Sequence, residues 1–134
     1  MGLDNGINIV RNDYSNKIKA LKRFTSPYDK DKTYPFEVCY WRKCWNVRSN
    51  IFDIIGVENA YQYQFALDVP MIEEIISVLK SYNAKTWEYG GWNGSIWEWS
   101  EHKKFNRRHI RKLKRLVKIM KKYPDLKVYF YDSY

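Results

Sequence analysis

The 134-residue chain has no apolar run near the ~20 residues that a bilayer span requires. It has two cysteines, Cys39 and Cys44, too few for a disulfide framework. Both are expected as small buried hydrophobes in a reducing setting, and the cytoplasm is the expected location. The first residues hold no basic segment followed by an apolar stretch, so a secretory leader is not expected. Gly6 stands where N-myristoylation wants Ser or Thr. There is no glycine-rich phosphate loop and no G-x-S-x-G. His102 and His109 lie seven apart in a cationic run and there is no second cysteine pair, so neither a metal nor another cofactor is expected. Adjacent Glu73 and Glu74 diverge on a helix and do not make a catalytic carboxylate pair. These absences turn the expectation from an enzyme toward a binding protein.

What is present is aromatic and basic. Twelve Tyr, six Trp and six Phe make up 18% of the chain, and the formal net charge is +9. Residues 102–122 hold eleven Lys or Arg and no carboxylate, while 49–101 hold two cations and eight acids. Like charges at i, i+4 repel, and mixed signs would serve solubility better. An unbalanced run therefore reads as a platform for phosphates or an acidic surface, set against the plainer reading of a solvated face.

Residues 1–134 fit one domain in length. Alternation predicts strands over Gly2–Val10, Phe36–Trp41, Tyr61–Leu67 and Leu126–Tyr131. In the second, Phe36, Val38 and Tyr40 should face one way and Glu37, Cys39 and Trp41 the other. Helical spacing predicts Arg42–Ile55, stopped by Gly56, then a helix opened by Asp68-Val69-Pro70 with Ile72, Ile75, Ile76, Leu79 and Tyr82 on its apolar face. The third helix is basic, capped by Ser100 and ended by Tyr123-Pro124, with Ile110, Leu113, Leu116, Val117 and Met120 inward. Turn signals fall at Ser26-Pro27, Tyr34-Pro35, Gly90-Gly91 and Asn93-Gly94. Because strands and helices do not strictly alternate, the fold class is α+β with a mostly antiparallel sheet and about three helices.

Met1-Gly2-Leu3-Asp4, the block Glu37-Val38-Cys39-Tyr40-Trp41-Arg42-Lys43 and the closing Tyr129-Phe130-Tyr131-Asp132-Ser133-Tyr134 resemble a family of small phage and prophage proteins. The basic helix and Cys44-Trp45 depart from that pattern. The resemblance implies an accessory role against host defence, inside the host bacterium's cytoplasm. Such proteins sequester nucleotide messengers or block effector proteins by contact.

The expected function is thus a counter-defence protein that binds an anionic nucleotide. Tyr40, Trp41, Arg42 and Lys43 stand at a strand-to-helix junction, with Asn46 on the same helix face as Arg42 and with Arg48 on another. Guanidinium groups grip phosphate with two bonds and aromatic rings stack on bases. Arg107, Arg108 and Arg111 of the basic helix complete the candidate set. Trp87, Trp92, Trp97 and Trp99 around Gly90-Gly91 form a second aromatic constellation, readable as a flap over a planar ligand or as cover for the sheet. The alternatives are an inhibitor that contacts a host defence protein and a nucleic-acid-binding protein. A symmetric ligand would favour a homodimer, and no membrane partner is expected.

Overall fold

The computed structural model describes residues 4–25, 34–57, 64–89, 92–93 and 96–133, and the side chains of those except 88–98. The turns at Ser26-Pro27, Gly90-Gly91 and Gly94, the residues Tyr61 and Tyr63, and the rings of Trp92 and Trp97 lie outside what is described. The protein is α+β. Strands β1 (Asp4–Ile9), β2 (Phe36–Arg42), β3 (Gln64–Leu67) and β6 (Val128–Ser133) form one antiparallel sheet in the order β2-β1-β6-β3. Helices α1 (Asp13–Asn16), α2 (Trp45–Ile55), α3 (Val69–Ser81) and α4 (Ile96–Lys122) are joined by a 3-10 turn at Lys19–Phe24 and a small hairpin, β4 (Glu88–Tyr89) with β5 (Trp92–Asn93). Among the described residues no helix is long and apolar enough to cross a membrane.

Ile7, Ile9, Val128, Phe130, Phe65 and Leu67 turn one face of the sheet inward. Phe52 of α2 meets Phe65 and Phe130 edge-on at 5.5 and 5.9 Å. Helix α3 seats the five residues its periodicity selects, Ile72, Ile75, Ile76, Leu79 and Tyr82, and Asp68 caps it by accepting from the Met71 N–H at 2.9 Å. Gly56 ends α2 in the left-handed region at φ 82°.

Two sequence expectations fail for identifiable reasons. In β2 the facing changes midway, because Ile7 pairs with Cys39 but Asn8 pairs with Glu37, leaving Val38 as an inserted residue. Phe36, Cys39 and Trp41 therefore share the buried face and Tyr40 is turned out, where simple alternation put Tyr40 with Phe36. The helix expected from Arg42 begins at Trp45, since Arg42 pairs with Asp4 in the sheet and Lys43 turns the chain at φ 56°. At the other end of the chain, α4 starts at Ile96, ahead of the expected cap at Ser100.

Candidate functional site

Among the described residues of α4 the buried ones, Asn106, His109, Leu113, Leu116, Val117, Ile119 and Met120, make one stripe, and the cations take most of the rest. At 100° per residue those cations cover about half the helix circumference. Beside α4 runs the outer edge of β2, and against that edge lies the 3-10 turn. Ile18, Leu21 and Phe24 recur every third residue, matching the three-residue period of a 3-10 turn, and all three are buried. That period leaves Lys22 and Arg23 outward.

These three elements enclose a groove of about 390 Å3 lined by Arg23, Phe24, Thr25, Glu37, Val38, Tyr40, Phe105, Arg108, His109 and Lys112. Three cations face one carboxylate across it. A second trough of about 380 Å3 continues along α4 between Arg108, Arg111, Lys112, Lys114, Arg115 and Lys118, with no acid in its lining. Arg108 and Lys112, one turn apart, belong to both, so the two form one cationic track. Facing Lys80 of α3 lowers the Lys114 pKa, a sign of like charges held together. Among the described residues α4 makes an ion pair at Lys121 with Glu73, 3.5 Å apart and exposed, a geometry that adds little stability.

His109 builds the wall between α4 and β2. Its Nε2 accepts the Tyr40 backbone N–H at 3.2 Å, so the edge strand's outward donor is satisfied. The ring packs on Trp41 at 5.0 Å and Phe105 at 4.1 Å. Burial, with Lys112 and Arg108 nearby, pushes its pKa down to about 3, and the ring is neutral at pH 7. The Tyr40 hydroxyl donates to Asp4 at 2.6 Å, and that bond, then burial, raises its pKa to about 12.

The structure divides the candidate residues. Tyr40, Arg108 and the neighbouring Arg111 come together on the cationic track. Arg107 is exposed on α4 but lines neither trough. Trp41 is fully buried and cannot stack on a ligand. Arg42 and Lys43 are exposed, but as the end of β2 and its turn, so no helix face joins Arg42 to Asn46. Asn46 instead donates to the Thr86 carbonyl and accepts from the Val47 N–H. Arg48 grips Asp132 through two bonds at 2.8 and 3.0 Å. The strand-to-helix junction is therefore structural for Trp41, Asn46 and Arg48. Trp87 is likewise fully buried, against Tyr82, Trp99 and His102, and cannot serve in a flap.

Sequence reasoning missed Arg23, Glu37 and Lys112 as site residues. The three-residue apolar spacing over 18–24 was the available signal for Arg23. Both cysteines are buried and free, and burial pushes the Cys44 thiol up to about 12. Among the described residues no three metal-ligating side chains gather. Comparison with protein-family models, curated proteins and solved structures found no match to this chain.

Proposed function

We propose that the protein binds a phosphate-bearing nucleotide ligand in the groove between the 3-10 turn, β2 and α4, and holds it without turnover. The observation that carries this reading is the convergence of Arg23, Arg108 and Lys112 on one concavity. Guanidinium forks and an ammonium in a partly enclosed site favour a multiply charged, oxygen-rich anion. Tyr40 is the exposed ring at the rim. His109, whose Nε2 is already engaged and whose low pKa suits neither acid nor base work near pH 7, supports retention over catalysis by that residue. The resemblance to small phage proteins supports a counter-defence role in the host cytoplasm, with the ligand a signalling nucleotide that is sequestered.

A nucleic-acid backbone is the second reading, favoured by the track itself. From Arg108 to Lys118 the cations extend roughly 15 Å along the helix axis, enough to meet several successive phosphates.

The test is calorimetric titration of the nuclease-treated protein with cyclic dinucleotides, ADP-ribose, mononucleotides and short single- and double-stranded oligonucleotides. One small nucleotide bound tightly and recovered intact supports sequestration, and recovery of a cleaved product sinks it. Binding of oligonucleotides alone, with affinity falling steeply in salt, selects the second reading. No binding of either kind removes both and leaves contact with an acidic defence protein.

A further inference from the structure

The cationic groove holds one residue that an anion site does not need. An anion drawn to Arg23, Arg108 and Lys112 also meets Glu37 on the β2 wall, which weakens the attraction. Among the described residues no ion pair or hydrogen bond occupies the Glu37 side chain, so it does not serve to neutralise those cations. It is exposed and adds nothing to the buried core. What such a carboxylate offers a ligand is a pair of acceptor oxygens.

The fold sets that carboxylate beside an aromatic ring. Glu37 and Tyr40 are three positions apart, and in an unbroken strand such side chains face opposite ways. The inserted Val38 brings them to one face, because Glu37 then pairs with Asn8 and Tyr40 with Gly6, two apart on β1. Bulges beside binding sites re-aim side chains in this way. Both residues are exposed and both line the groove. The bond from the Tyr40 hydroxyl to Asp4 ties the tip of the ring to β1. The groove is thus divided by chemistry. Its cations stand on α4 and the 3-10 turn, while the β2 wall presents a flat ring next to a pair of acceptors.

We infer that the groove selects guanine nucleotides, with Glu37 as the residue that reads the base; this rests on the nucleotide reading above. Among the common bases guanine has two adjacent donors, N1–H and the 2-amino group, which match the two oxygens of a carboxylate in parallel. Adenine and cytosine offer one amino group beside an acceptor nitrogen. Uracil sets its N–H between two carbonyl oxygens, which a carboxylate repels. Stacking on Tyr40 is open to any base with a π-face, and the cations hold phosphate whatever the base, so discrimination falls to Glu37.

Calorimetric titration of the wild-type protein with the 5′-diphosphates of guanosine, inosine, adenosine, uridine and cytidine tests this. The inosine compound, which lacks the 2-amino donor, should bind about tenfold more weakly than the guanosine compound, and the other three more weakly still. In Glu37→Gln the side-chain amide keeps an acceptor for N1–H but turns a donor toward the 2-amino group. Xanthine carries a carbonyl at that position, so the variant should prefer xanthosine diphosphate to guanosine diphosphate, a reversal that loss of folding cannot produce. Equal wild-type affinity for the guanosine and adenosine compounds overturns the guanine assignment and leaves the phosphate groove standing. A guanine preference unchanged in Glu37→Gln overturns the role of Glu37. Absence of binding by all five sinks the proposal together with the nucleotide reading beneath it.

Discussion

Arg48 of α2 and Asp132 of β6, 84 residues apart, are joined by two parallel charge-assisted bonds, and the Asn5 amide donates to the same carboxylate. The Asp132 side chain is 4% exposed and that of Arg48 20%. The guanidinium also lies 4.5 Å over the Phe52 ring. Removing one partner strands the other charge in the interior. Arg48→Ala should lower the unfolding free energy by about 3 kcal/mol in urea titration. Arg48→Met with Asp132→Leu should recover most of that loss, since an apolar pair carries no desolvation penalty. A loss below about 1 kcal/mol in the single variant would show that the pair adds little.

His109 sets a pH dependence. Its folded pKa of about 3 lies below the ordinary value of 6.5, so between those values the unfolded chain binds the extra proton. Stability is fully present above pH 6.5 and declines as pH falls toward 3. From pH 7 to pH 5 the loss should be about 2 kcal/mol. His109→Gln should flatten that slope in urea titrations at the two pH values, and an unchanged slope would assign it to other groups.

Among the described residues two positions sit in the left-handed region, Lys43 at φ 56° and Gly56 at φ 82°. Nothing lies within 4 Å of where a Gly56 Cβ would stand, so the cost of Gly56→Ala is backbone strain alone, about 1 kcal/mol. Lys43→Gly should act in the opposite sense by about 0.5 kcal/mol, since relief of strain exceeds the added freedom of the unfolded chain. Melting temperatures of the two variants should move in opposite directions.

The groove predicts which cations matter. Arg23→Ala, on the 3-10 turn and away from α4, should weaken nucleotide affinity roughly tenfold or more, the loss of one charged hydrogen bond. Arg42→Ala should leave it unchanged. Calorimetry of the two variants beside wild type decides the matter, and the opposite pattern would move the site to the end of β2.

How far the sequence revealed this follows from which contacts are local. Helix α3, the inward stripe of α4 and the Gly56 stop rest on spacing within one element, and each was legible. The inserted Val38 was not, because a bulge depends on how β1 pairs with β2 and leaves no periodic trace. Nor was the fate of Arg48, whose partner lies on the last strand. Trp41 beside Arg42 looked like a stacking ring next to a phosphate grip. The bulge turned the indole inward and the tyrosine outward. The basic helix was legible as a cationic surface; that it forms a groove with residues 18–24 required knowing which turn packs on the edge of β2.

The hydrogen bond from the Tyr40 N–H to His109 has a consequence for self-association. An uncovered strand edge is a template on which further copies of a chain can add, strand upon strand, into fibres. Here α4 lies along β2 and engages that outward donor, while β3, at the opposite margin, offers four residues among those described. The helix that does the covering also confronts an approaching copy with its own positive charge. Polymerisation through the β2 margin of this sheet is thus opposed twice, by a blocked donor and by repulsion, and the second safeguard weakens as salt rises.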